Sequence, residues 1–142
     1  MNNGLMSALT YSMAQMLIEE QGENIVIPDT YTSIDAYSFS GKEISSIFIP
    51  DSVTSIGDFA FSGNNLTSLD LPESVVSIGS GAFNYNQLTS IKIPDSVTSI
   101  GAYAFSENQL TSVEISDSIT AIEESTFSVS YTHLRAHETM SN

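Results

Sequence analysis

The sequence predicts an α/β repeat solenoid with a short-stranded parallel sheet on one face and a capping helix at its N-terminal end. Three observations predict it. The chain's four prolines stand at 28, 50, 72 and 94, each 22 residues after the last. The run from Ile49 to Gly57 returns letter for letter from Ile93 to Gly101. Apolar columns recur at the same interval through the middle of the chain. A fixed period of this size marks stacked coils, each too small to bury its apolar face alone.

The elements follow in chain order. Leu5, Leu9, Met13, Met16 and Leu17 fall at helical spacing, with Glu19, Glu20 and Gly22 closing the segment. This predicts an amphipathic helix over residues 5–20, in a capping segment 1–23 that covers the open end of the solenoid. A membrane-surface helix is disfavoured because the polar face carries no basic residues. Five strands are expected next. One column reads Ile25, Ile47, Leu69, Ile91, Val113, and two residues on stand Ile27, Ile49, Leu71, Ile93, Ile115. With Ile44, Leu66, Leu88 and Leu110 three residues upstream of the first column, they spell L-x-x-L-x-L, a strand with alternate residues turned inward. A Pro-Asp-Ser turn follows, its Asp or Ser placed to bond nearby amides. Then come a second apolar pair (Val53 and Ile56 and their counterparts) and a bend at Gly57, Gly79 and Gly101. This bend calls for positive φ or close backbone approach. The column Phe39, Phe61, Phe83, Phe105, Phe127 closes each coil, preceded from the second coil by Ala60, Ala82 and Ala104. Asn64, Asn86 and Asn108 turn the chain towards the next strand.

Read as L-T-S-[IL]-x-[IL]-P-[DE]-S-V-x-S-I-G-x-x-A-F, the repeat resembles the BspA-type leucine-rich repeat of bacterial surface proteins and some parasitic protists. The resemblance covers residues 24–128, nearly five repeats and almost three quarters of the chain. It implies a right-handed leucine-rich-repeat solenoid and adhesion or protein binding outside the cell, and it implies no catalytic residues. By resemblance the protein is secreted or on the cell surface. Residues 1–21 lack the Lys or Arg of a signal peptide, so either the protein is cytoplasmic or this chain has lost its export signal.

Composition narrows the partners. Seventeen Asp and Glu stand against Lys42, Lys92 and Arg135, a net charge of −14. Nucleic acid and anionic membrane surfaces are disfavoured, and cations or basic partners are favoured. There is no cysteine, hence no disulfide framework, and no apolar run near the ~20 residues that span a membrane.

Residues 129–142 depart from the repeat and hold both histidines and the only arginine. The run His133-Leu134-Arg135-Ala136-His137-Glu138-Thr139 resembles a translated sequencing-adapter fragment of the kind that contaminates metagenomic genes. It is expected to be a non-native tail, with the natural protein continuing past Ser128. His133, His137 and Glu138 have a zinc-like spacing but lack H-E-x-x-H, and an arginine stands between them. No G-x-S-x-G is present, and no acid pair can be singled out among 17 carboxylates. The column Asp29, Asp51, Glu73, Asp95, Asp117 could bridge calcium, although its place in the turns explains it without a metal.

The candidate site is the outward strand face. Its Thr column (Thr67, Thr89, Thr111) is uniform, whereas the next but two runs Val26, Phe48, Asp70, Lys92, Glu114. Uniform columns belong to the scaffold, and the changing column is where specificity can be written. Phe48 is the strongest single contact, an apolar side chain on a polar face. A second varying column, Tyr37, Phe59, Gly81, Tyr103 and Ser125, is expected to be partly buried. The reading is a non-enzymatic, cofactor-free adhesion module for protein or glycan partners. Its rival is a self-assembling protein that forms a homodimer or fibre through a solenoid end, with or without calcium.

Overall fold

Each coil hydrogen-bonds to the coil 22 residues further on, which is the solenoid that the proline spacing predicts. The computed structural model describes residues 7–115, 119, 122 and 124–128. In order these form β1 (Ala8–Leu9), α1 (Tyr11–Gln21), β2 (Asn24–Val26), β3 (Ser33–Ile34), β4 (Ser46–Phe48) and β5 (Ser55–Ile56). Then come β6 (Ser77–Ile78), β7 (Ser90–Ile93), β8 (Ser99–Ile100), β9 (Ser112–Ile115) and a 3₁₀ turn, Glu124–Phe127.

The parallel sheet expected on one face occurs on two. The unbroken one lies on the second apolar pair: five parallel strands in the order β1-β3-β5-β6-β8, with Ser33, Ser55, Ser77 and Ser99 in register, and likewise Ile34, Ile56, Ile78 and Ile100. Strands of two residues are too short to show alternation in a sequence, so this sheet was hidden. On the expected face, β2 pairs with β4 and β7 with β9, while Ser68–Leu71 of the third repeat joins neither. That repeat carries Leu69-Asp70-Leu71, where the paired strands carry β-branched residues at both inward positions. Leu and Asp there lower strand propensity.

The interior is made of stacked columns. Phe39, Phe61, Phe83, Phe105 and Phe127 are fully buried and stack ring on ring, with centroids 5.1, 5.2, 5.5 and 5.6 Å apart and planes within 10° of parallel. Such contacts add about 0.5–1.5 kcal/mol per pair beyond burial. The fully buried Ala60, Ala82 and Ala104 keep the coils close; the N–H of Phe61 reaches the Ala82 carbonyl at 2.8 Å, and the next coil repeats the bond. Beside the rings runs an asparagine ladder. The Asn86 Oδ1 accepts from the Leu66 N–H of the preceding coil at 3.0 Å. Its Nδ2 donates to the carbonyls of Phe61 (2.9 Å) and Phe83 (3.1 Å). Asn64 and Asn108 make the corresponding bonds, and all three are at most 5% exposed. Read from sequence as simple turn residues, they are cross-coil bolts.

Close approach, not positive φ, fixes the bend glycines. A Cβ on Gly79 would lie 2.6 Å from the Asp58 nitrogen, and one on Gly101 2.4 Å from the Ser80 nitrogen. At the Pro-Asp-Ser turns and the Pro72-Glu73-Ser74 turn, the N–H groups of Val53, Val75 and Val97 donate to the carbonyls of Pro50, Pro72 and Pro94. The Ser52 and Ser74 hydroxyls donate to carbonyls of the preceding coil, Tyr31 and Val53, at 2.7 Å. Ser52 and Ser74 thus stitch coils, instead of capping amides as the sequence suggested, whereas the buried Ser96 hydroxyl makes no hydrogen bond.

The N-terminal helix is shorter than expected and turned. Thr10 caps it, its Oγ1 accepting from the Met13 N–H, so Leu9 falls outside and pairs with Ile34 as β1. The buried stripe is therefore Ala14 and Leu17, with Ile18 partly covered, while Met13 and Met16 are exposed. Leu5 lies outside the described residues. The edge of β2 is closed by a side chain: the Gln21 amide donates to the Val26 carbonyl at 3.1 Å and accepts from its N–H at 2.6 Å. Edge groups satisfied in this way do not recruit another strand.

Three substitutions test the stacking. Asn86→Leu strands the buried Leu66 N–H and leaves the Phe61 and Phe83 carbonyls with only the bonds from Asn64 and Asn108; it is expected to lower unfolding stability by about 1–3 kcal/mol in urea titration. Gly79→Ala is expected to destabilise through its backbone clash. Glu43, exposed at φ 59°, is strained where Gly41 and Gly63 are not; Glu43→Gly should raise stability by about 0.5–1 kcal/mol.

Candidate binding face

The outward residues of the first, expected face divide where the third repeat leaves the sheet. In the N-terminal part, Val26 and Phe48 are register neighbours on β2 and β4, each 56% exposed. In the C-terminal part, Lys92 and Glu114 are register neighbours on β7 and β9, both exposed. Asp70 stands exposed between the two parts, on the unpaired stretch. Thr67, Thr89 and Thr111 are exposed along one border, where the Thr111 Oγ1 donates to the Thr89 carbonyl at 3.3 Å. The hydroxyl columns are partly spent on the scaffold: Ser45 and Ser46 donate to the side chains of Glu23 and Asn24 at 2.7 and 2.8 Å.

Two hollows flank Phe48. One of about 230 Å³ opens where pairing stops, lined by Ile47, Phe48, Ile49, Asp51, Asp70, Leu71 and Pro72. The other, of about 630 Å³, lies towards the N-terminus between Val26, Pro28, Asp29, Phe48, Pro50 and Asp51. Phe48 is thus an apolar ridge between two depressions, with Asp51 on the wall of both. The structure brings together Phe48 and Asp70, and separately Lys92 and Glu114, but no strand pairing joins the two pairs.

A second face was not foreseen as a site. The unbroken sheet carries a groove of about 420 Å³ lined by Ser33, Ser55, Ser77 and Ser99 with Asp35 and Asp58. At its border the column Tyr37, Phe59, Gly81, Tyr103 adopts left-handed φ of 64, 56, 62 and 63°. Only glycine is relaxed there, and each side chain costs roughly 1–2 kcal/mol. Tyr37 and Tyr103 are about half exposed, and Phe59 stacks on Tyr37 at 5.3 Å with its ring over Gly81. The Gly81 gap lets the Phe59 ring lie flat, so this strip is held by its own packing.

The carboxylates of Asp29, Asp51, Glu73 and Asp95 are exposed. Among the described residues no three Asp, Glu or His side chains gather as a metal site would need. Asp117, His133, His137 and Glu138 lie outside the described residues. Among the described residues no helix is long and apolar enough to cross a membrane.

A profile of the BspA type leucine rich repeat region matches residues 18–133 in six copies. The chain belongs to the BspA-type leucine-rich repeat family. A leucine-rich repeat protein from Bacteroides ovatus is 35% identical with a TM-score of 0.72, over 80% of this chain and 30% of its own. A leucine rich cell surface protein from Faecalibacterium prausnitzii is 26% identical over 75% of this chain and 39% of its own, TM-score 0.53. The pneumococcal vaccine antigen PcpA shares the fold at 22% identity, over 68% of this chain and 31% of its own, TM-score 0.56. This BspA-type chain thus spans about a third of the solved proteins it resembles. None of the curated proteins matches it.

Like charges on solvated turns repel, and salt screens them. The urea midpoint of this repeat chain is therefore expected to rise with sodium chloride. Calcium and magnesium at equal ionic strength should raise it alike. Stabilisation selective for calcium, reversed by chelator, would show that the turn carboxylates gather round an ion after all.

Proposed function

We propose that this chain is the recognition segment of a bacterial surface or secreted adhesion protein. Its Phe48 face, with Val26 and Asp70 beside it, makes the contact with a protein or glycan partner. The observation that carries this reading is the Val26–Phe48 pair, two large apolar side chains in register and each 56% exposed. They stand on a face whose other outward residues are polar: Thr, Ser, Asn, Asp, Lys and Glu. Burying such a side chain against a partner contributes roughly 1.5–3 kcal/mol, while leaving it in water gains the fold nothing. The hollows on either side supply the relief that a partner's side chains fill, and Thr67, Thr89, Thr111, Lys92 and Glu114 extend the contact along the solenoid. A binding role fits a scaffold whose repeated residues are consumed in stacking. The likeness to a protein called a cell surface protein supports the placement outside the cell.

The test is a binding screen of immobilised proteins and glycans with the wild-type chain and Phe48→Ser, alongside light scattering at decreasing concentration. Phe48→Ser is expected to leave unfolding stability within about 0.5 kcal/mol, as exposed substitutions do. Any specific ligand should bind that variant tenfold or more weakly. Ligands that bind wild type and variant alike would overturn the assignment of this face. A mass that falls on dilution, with no ligand captured, would favour self-assembly instead.

A further inference from the structure

The Val26–Phe48 ridge is an apolar centre in an acidic surround. Asp51 and Asp70 line the hollow on one side of Phe48, and Asp29 and Asp51 the hollow on the other. All three carboxylates are exposed. The chain has few cations to balance them: three Lys and Arg against 17 Asp and Glu. Of these, Lys42 is engaged elsewhere, its Nζ donating to the Tyr11 hydroxyl at 2.8 Å and lying 5.0 Å from the ring centroid.

We propose that this face takes a basic segment of a partner protein, an extended stretch in which a large apolar side chain has Arg or Lys two residues away on either side. The proposal rests on the reading of the Phe48 face as the contact, and it names the partner's chemistry. Charge complementarity selects it. A partner that covers Phe48 also removes water from Asp51 and Asp70, and a buried carboxylate without a counter-charge is costly. A neutral sugar brings no such charge, and an acidic chain is repelled. Arginine fits best, because its planar group forks a carboxylate and lies on an aromatic face. The spacing also fits. Neighbouring coils lie about 4.8 Å apart, so Val26 to Asp70 spans roughly 10 Å, which an extended peptide covers in about three residues. Alternate residues of an extended stretch share a face, so the partner's apolar side chain meets the ridge while the basic residues two positions to either side reach the two hollows. Lys92, one coil beyond Asp70, ends the acidic run in the outward strand column.

Titration calorimetry of the full chain with a synthetic peptide carrying Arg-Ser-Leu-Ser-Arg, called the Arg–Leu peptide, tests this, with citrulline-for-Arg and Ser-for-Leu peptides as controls. The Arg–Leu peptide is expected to bind, and each control peptide to bind roughly tenfold more weakly or worse. Phe48→Ser should weaken the Arg–Leu peptide about tenfold, and Asp51→Asn with Asp70→Asn about fivefold. Glu19→Gln with Glu20→Gln, an equal loss of charge on α1, should change it less than about twofold. If the citrulline peptide binds as well as the Arg peptide and Phe48→Ser still weakens both, the basic partner is wrong and the face is right. If the Glu19/Glu20 pair matters as much as the Asp51/Asp70 pair, binding is to net charge alone and the proposal falls. No measurable binding of the Arg–Leu peptide at low salt also overturns it.

Discussion

The structure depends on one constraint: buried polar groups of a coil are satisfied within it or by the coils next to it, the Asn84 Oδ1 and the Ser96 hydroxyl being the exceptions among the described residues. The asparagine ladder states it most plainly. Asn86 sits at most 5% exposed, and its amide holds an N–H of the preceding coil and carbonyls of both. An amide is buried at acceptable cost only when its donors and acceptors are met. Here that demands coils of equal length, because the partners lie 20 and 25 residues back. The constant spacing of the prolines is the visible consequence. The phenylalanine stack imposes the same demand by a different force, since ring planes within 10° of parallel leave no room for a coil one residue longer or shorter.

A scaffold fixed so tightly leaves little inside it to vary. Ile, Leu, Phe, Ala and Asn are consumed by packing, Gly79 and Gly101 by the approach of the next backbone, and Ser52 and Ser74 by carbonyls of the preceding coil. Even outward positions are not all free: Gln21 closes a strand edge and Phe59 leans on Gly81. What remains is a short column of strand residues pointing to solvent. Differences there leave the buried columns untouched, so they are where a repeat protein can acquire a partner.

The fold was legible in the sequence wherever burial recurred with the period, as for Phe39 to Phe127 or Ile34 to Ile100. It was illegible where the partner lies in another coil. Nothing in the letters around Asn86 says that its amide reaches the Leu66 N–H. Nor do they show that Ser77–Ile78 pairs as a strand, since two residues carry no periodicity. The helix was read with Met13 and Met16 inward because its spacing permits two stripes. The choice between them is made by Leu9, which pairs as a strand and sets where the helix begins. The site was half legible. Phe48 stood out as an apolar residue in a polar column, but the hollows beside it arise from packing and from the interruption of the sheet.

That interruption ties the scaffold to the site. Leu69-Asp70-Leu71 departs from the strand pattern in the one described repeat that stays out of the sheet, and the same departure opens the hollow beside Phe48. A β-branched pair at 69 and 71 would favour pairing across it, joining Val26 and Phe48 to Lys92 and Glu114 in one flat surface. With Leu and Asp there, the apolar ridge faces a recess walled by carboxylates, bounded on the far side by a lysine. The coil that weakens the sheet is the one that gives the face its relief. The third repeat can depart in this way because the asparagine and phenylalanine columns hold it in line whether or not its strand is paired.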